Sequence, residues 1–172
     1  MDIVSKFTIA SDEGLYNLFL LKETQIREMY NSSVPEEQLE EYIEQQLSEK
    51  DAVNDLNNLS TQMVTVFIEG VPVGYAIMRQ SLSEIEILAS QKAIHYGSFY
   101  IIAEYNNAET RASLWNKCLS VTRSYDIIWI ELLQSDPLIS FLADCGFKIQ
   151  EESEMKPFNK PSYILIRPKV ED

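Results

Sequence analysis

Residues 63–78 constrain the fold more than any other stretch. Met63, Val64, Thr65, Val66, Phe67 and Ile68 form an unbroken β-rich run, Glu69-Gly70 follows, and Val71 to Met78 form a second run. Two such runs separated by two turn residues read as a β-hairpin, because the tight turns that match strand twist need the positive φ that Gly accepts. Gly74, inside the second run, marks a bulge or a close approach of another backbone.

The flanking patterns build a mixed fold on this hairpin. Residues 3–9, with Ile3, Phe7 and Ile9, read as a first strand. Ser11 is placed as an N-cap ahead of Asp12 and Glu13, and Leu15, Leu18, Phe19, Leu21, Ile26 and Met29 give a helix that fades near Tyr30. Pro35-Glu36 opens a second helix with Leu39, Tyr42, Ile43 and Leu47 on one stripe. Its intervening acids (Glu37, Glu40, Glu41, Glu44, Glu49) read either as a solvated face or as a wall that attracts a cationic substrate. Residues 48–61 read as a frayed helix end and loop. Residues 80–92 are open, with Ser81 to Ile87 a strand or an excursion.

Ala93 to Ala103 is a strand, and residues 107–123 are a helix with Ala112, Trp115, Leu119 and Thr122 along one side. Asp126 to Leu132 is a buried strand of the kind found in parallel pairs. Ser135-Asp136-Pro137 caps a helix over 137–144 that Gly146 closes, and Phe147 to Gln150 pairs with Pro161 to Arg167 across an acidic, Pro-containing loop. The expectation is one α+β domain over residues 1–172. Its sheet is mixed, twisted, mostly antiparallel and flanked by helices, with one parallel pair in the second half.

Composition narrows the function. With 27 acidic against 14 basic residues, the net charge of −13 argues against nucleic acid, whose binding rests on Lys and Arg neutralising phosphates. It fits solubility and a cationic or amine-bearing partner. Two distant cysteines, Cys118 and Cys145, exclude a disulfide framework or CxxC site, and the single histidine disfavours zinc. The N-terminal residues lack the pattern of a signal peptide, and no run approaches the 18 apolar residues of a membrane span. A reducing cytoplasm is the expected location.

The order of elements resembles the GNAT acetyltransferase superfamily from about residue 3 to residue 167. Glu69-Gly70-Val71-Pro72-Val73-Gly74-Tyr75-Ala76 resembles that family's hairpin, and Phe99 to Tyr105 its fourth strand entering the cofactor loop. Ala112-Ser113-Leu114-Trp115 resembles the helix after that loop. Ile127 to Leu132, then Ser135 to Phe147, resembles the strand, helix and terminal Gly-Phe of the second half. The resemblance implies an acyl-CoA-dependent N-acetyltransferase, with acetyl-CoA as cofactor and a small or peptidic amine as acceptor. It also implies that Ile101, Ile102, Ala103, Asn106, Asn107, Ala108, Glu109, Thr110 and Arg111 hold the cofactor. Backbone N–H groups near Ile101 and Ile102 would face the developing oxyanion.

The loop departs from the family's Gln/Arg-x-x-Gly-x-Gly/Ala pattern. Asn106 takes the first place, while Glu109 and Arg111 take the two glycine places. Glycine there lets the backbone approach a pyrophosphate at a helix N-terminus. Glu109 would repel it and Arg111 would offset part of that. His95 stands where the family places a basic carboxylate and reads as a general base or as an ordinary strand histidine. Tyr100 and Tyr96 offer phenolic donors or are ordinary strand aromatics. Leu142, after Phe141, replaces the family's tyrosine acid and reads as core. Two alternatives stay open beside the transferase: a non-catalytic binding or regulatory module of the same fold, and a different acyl or small-molecule ligand in the same cleft.

Overall fold

The computed structural model describes residues 1–80 and 91–170. The strand or excursion expected over 81–87 lies outside the described residues. The elements run β1 (Ile3–Phe7), α1 (Asp12–Tyr30), α2 (Glu36–Gln46), α3 (Glu49–Leu56), β2 (Thr61–Ile68), β3 (Val71–Gln80), β4 (Ala93–Ile101), a 3-10 turn (Ala103–Tyr105), α4 (Ala108–Thr122), β5 (Ile127–Leu133), α5 (Ile139–Asp144), β6 (Lys148–Met155) and β7 (Lys160–Pro168). The seven strands take the order β1-β2-β3-β4-β5-β7-β6, mostly antiparallel, with β4–β5 the parallel pair. This is the mixed α+β sheet that the sequence predicts. No described helix is long and apolar enough to cross a membrane.

The chain divides into two compact units. The first comprises Met1–Ile77 and Phe99–Cys118. Its hairpin turns at Glu69 (φ 49°) and Gly70 (φ 79°), the paired positive φ of a twist-matched two-residue turn. β1 pairs antiparallel with β2 from Ile3↔Ile68 to Phe7↔Val64. Ser11 caps α1 as expected, its hydroxyl accepting the Gly14 N–H at 3.0 Å. Leu18 and Leu21 of α1 pack on Met63, Tyr75, Ile77 and Tyr100. α2 buries Leu39 and Ile43 and turns its glutamates to solvent.

Two local expectations are corrected here. Residues 49–56 form a discrete helix rather than a frayed end and loop. Ser48 accepts the Asp51 N–H at 3.3 Å, and Ala52 and Leu56, four residues apart, pack against the α1 core. The buried row of α4 is Thr110, Leu114, Cys118 and Thr122, joined by Trp115, while Ala112 and Leu119 are only half-buried. The row follows strict i, i+4 spacing, and its start at a buried threonine hides it from an apolar reading.

The second unit comprises Met78–Ser98 and Leu119–Asp172. Ala93↔Ile127 to Tyr96↔Ile130 are parallel partners, and β5 continues antiparallel against β7 from Ile127↔Pro168 to Leu133↔Ser162. Asp136 Oδ1 accepts the Leu138 N–H at 2.8 Å ahead of the short α5, and Gly146 (φ 101°) closes it. The acidic stretch expected as loop is instead strand as far as Met155, with an irregularity between Ile149 and Glu151. β7 supplies its backbone partners, and exposed Glu151, Glu152 and Glu154 guard this edge against pairing with another sheet.

Candidate active site

The first unit gathers most of the nominated residues at the end of β4. Strand alternation sends the Ile102 N–H back to Val73 O of β3 at 2.8 Å, so this donor is committed to the sheet. The next N–H, on Ala103, points away from β3 and is taken by a carboxylate. Glu28 of α1 accepts it at 2.8 Å through Oε1 and 3.3 Å through Oε2. Tyr100 donates its hydroxyl to Glu28 Oε2 at 2.6 Å. The Tyr75 ring meets Tyr100 edge-on at 6.2 Å, and the Tyr75 hydroxyl donates to Gln25, one turn before Glu28. Burial, then the hydrogen bond and charge of Glu28, push the Tyr100 hydroxyl well above its ordinary pKa, so it stays protonated and serves as a donor.

Sequence reasoning missed Gln25 and Glu28, although a signal was there. They continue the Leu18–Leu21 stripe of α1 at helical spacing, polar residues on a face whose neighbours are core.

The loop then enters α4. Asn107 is its N-cap: Oδ1 accepts the Thr110 N–H at 3.0 Å and the Thr110 hydroxyl at 3.1 Å, and the Arg111 N–H reaches Asn107 O at 3.0 Å. That leaves the N–H groups of Ala108 and Glu109 as the outward donors of a 15-residue helix. Arg111 Nη1 folds back to Asn106, 3.1 Å from its carbonyl oxygen and 2.9 Å from Oδ1. Glu109 and Arg111 lie within the helix, and neither has positive φ. The missing glycines therefore leave no backbone strain, and only Cβ bulk and charge distinguish this loop. Two N–H donors at a positive helix end with a guanidinium beside them form a donor set that fits a pyrophosphate.

The remaining candidates belong to the second unit. His95 stacks on Trp129, its register partner on β5, at 3.8 Å between centroids and 15° between planes. Burial, and secondarily the charge of Arg79, push its imidazole down to about 4. The ring is neutral at pH 7 and a weak base. Tyr96 shares its hydroxyl with Thr122 Oγ1 at 2.8 Å in a buried pair. Leu142 is fully buried. Among the described residues no group of three or more His, Cys, Asp and Glu is placed to hold a metal.

His95 makes stability depend on pH. Its folded pKa lies below the ordinary 6.5, so the unfolded state binds more protons between pH 6.5 and 4, and stability is lost as pH falls through that window. Between pH 7 and pH 5 the contribution amounts to about 2 kcal/mol. Urea denaturation should find that loss, and His95→Phe should remove most of it. An equal loss in the variant would show that other groups set the acid limb.

No protein-family model matches the sequence, and no curated protein sequence matches it. Solved structures do. PaiA N-acetyltransferase from Thermoplasma acidophilum, crystallised with coenzyme A, aligns at a TM-score of 0.75 with 15% identity over 98% of this chain and 99% of that one. A probable acetyltransferase from Staphylococcus epidermidis aligns at 0.71 with 10% identity over 98% and 100%. The ribosomal-protein-S18-alanine N-acetyltransferase from Escherichia coli aligns at 0.65 with 11% identity over 98% and 96%. The chain has the fold of the GNAT N-acetyltransferases.

Proposed function

We propose that the chain is an acyl-CoA-dependent N-acetyltransferase acting on a small or peptidic amine. The observation that carries this reading is the start of α4: a capped helix N-terminus with outward Ala108 and Glu109 N–H groups and the Arg111 guanidinium, directly after β4. It occurs in a fold whose solved neighbours include an acetyltransferase crystallised with coenzyme A. These residues would hold the pyrophosphate, and bound acetyl-CoA would supply an acyl group activated as a thioester.

The chain's own contribution is positioning. Tyr100 and the Ala103 N–H fix the Glu28 carboxylate, which replaces His95 as the group best suited to accept the amine proton. Tyr100, protonated, acts on Glu28 rather than on a substrate. The exposed glutamates of α2 favour a cationic acceptor.

Calorimetric titration with acetyl-CoA, followed by turnover of a linear polyamine and of a short peptide with a free N-terminus, tests this. Cofactor at a hundred times its Kd should stabilise the fold by about 2.7 kcal/mol. Absence of binding at millimolar acetyl-CoA would sink the proposal.

A second reading, a binding module without acyl transfer, is favoured by Leu142 buried where a proton donor would stand and by the Glu28 carboxylate covering the Ala103 N–H. Cofactor binding without turnover of any amine would support it.

A further inference from the structure

We propose that a basic pocket in the second unit, at the C-terminal end of α4, binds a small organic anion: a carboxylate or phosphate carried on an apolar body. The cavity measures about 290 Å³, and Arg123, Arg167 and Lys169 line it together with Leu119, Tyr125 and Ile128. Among the described residues no carboxylate lines it. In a chain with 27 acidic and 14 basic residues, three cations converging on one concavity depart sharply from the rest of the molecule.

Arg167 has a backbone partner, while the other two cations are uncommitted among the described residues. Among the described residues neither the Arg123 nor the Lys169 side chain has an ion pair or hydrogen bond. The adjacent acid, Asp126, turns its carboxylate to the Lys92 N–H at 3.1 Å, while its carbonyl accepts the Lys169 N–H at 2.7 Å. Arg167 is anchored by Nε donating to Cys145 O at 2.7 Å, which fixes the plane of its guanidinium.

The negative end of α4 accounts for part of this charge, but a helix terminus carries only about half an elementary charge. Three cations exceed it. Fields from like charges in a concave, partly apolar site add, and an anion relieves them.

The apolar half of the pocket is equally built. Ile128 is buried, Leu119 half-buried, and Tyr125 is pinned as a wall: its hydroxyl accepts from Gln80 Nε2 at 2.8 Å and Lys92 Nζ sits 4.7 Å over its ring. Such a mix of apolar walls and a few convergent charged groups is the make-up of a small-molecule site. The pocket begins at Leu119, whereas the candidate cofactor loop precedes the first residue of the same helix, so the two sites are separable by experiment.

The test uses the full chain and three probes, followed by two-dimensional amide NMR: phenyl phosphate, inorganic phosphate, and benzyl alcohol as the uncharged body. Phenyl phosphate should bind saturably, shifting amides of residues 119–128 and 167–170 and leaving 106–111 unmoved. Inorganic phosphate should bind more weakly, and benzyl alcohol should leave these amides unmoved. Arg123→Gln combined with Lys169→Gln, both at exposed positions, should weaken phenyl phosphate about tenfold or more without changing the melting temperature. Failure to saturate by 10 mM, equal binding of benzyl alcohol, undiminished binding by the double variant, or shifts confined to 106–111 would each overturn the proposal.

Discussion

Replacing Gly74 with alanine lowers stability by about 2–3 kcal/mol, the usual cost of forcing volume into a packed interior. The sign is the point of the experiment. At an ordinary strand position the same change is mildly stabilising, by roughly 0.5–1 kcal/mol, because the unfolded chain loses freedom. Here a Cβ would stand 2.6 Å from Tyr100 O and 3.0 Å from side-chain carbons of Ile101 and Val66. The first of these is backbone and cannot swing aside. The close approach of β3 and β4 that Gly74 permits is fixed at its neighbour by the Ile102 N–H to Val73 O bond. Relief therefore means moving the end of β4, with Tyr100 and the Ala103 N–H that Glu28 holds. In a chain of this size the loss corresponds to a fall in Tm of roughly 4–12 °C. Urea denaturation gives the free energy and a melting curve gives the temperature. A neutral or stabilised variant would mean that the strands separate easily here and that Gly74 does not hold the β4 end.

What the sequence disclosed follows the reach of its signals. The hairpin and the Ser11 cap were legible because turn chemistry and capping act over a few residues. The α3 helix was not, because its eight residues carry many polar side chains and its stability comes from Ala52 and Leu56 meeting α1. β6 was cut short for the same reason: an acidic edge strand has no alternation to read, and only its partner β7 supplies the pattern. At the candidate site the loop was locatable by order along the chain. Its electrostatics were not, since Arg111 folding back on Asn106 and Glu28 reaching Ala103 join residues 5 and 75 positions apart. His95 stands in the sequence at the place that the resemblance gives to a base, and its residue type suits that role. The burial that weakens it as a base comes with packing against Trp129, on a strand more than thirty residues away.

Arg111→Ala should weaken acetyl-CoA binding about 10–100-fold, the range expected when a hydrogen bond to a charged group is lost. Without glycines the loop offers only the Ala108 and Glu109 N–H groups outward, because Asn107 has taken the Thr110 N–H. The guanidinium is then the principal positive charge available to a pyrophosphate, and its bonds to Asn106 hold it at the loop. Arg111→Lys keeps the charge but loses the planar fork, so it should fall between the two. Glu109→Gln provides the opposite sign. Glu109 is exposed on the same first turn, where its carboxylate is screened but still repels an anion, and its neutralisation should tighten binding several-fold. The two variants should also respond oppositely to salt. Raising ionic strength removes the advantage of wild type over Arg111→Ala and the advantage of Glu109→Gln over wild type. Calorimetry at two salt concentrations reads all of this without any turnover, and so applies to a transferase and to a binding module alike. Wild-type affinity in Arg111→Ala, or weaker binding in Glu109→Gln, would place the cofactor's phosphates somewhere other than the start of α4.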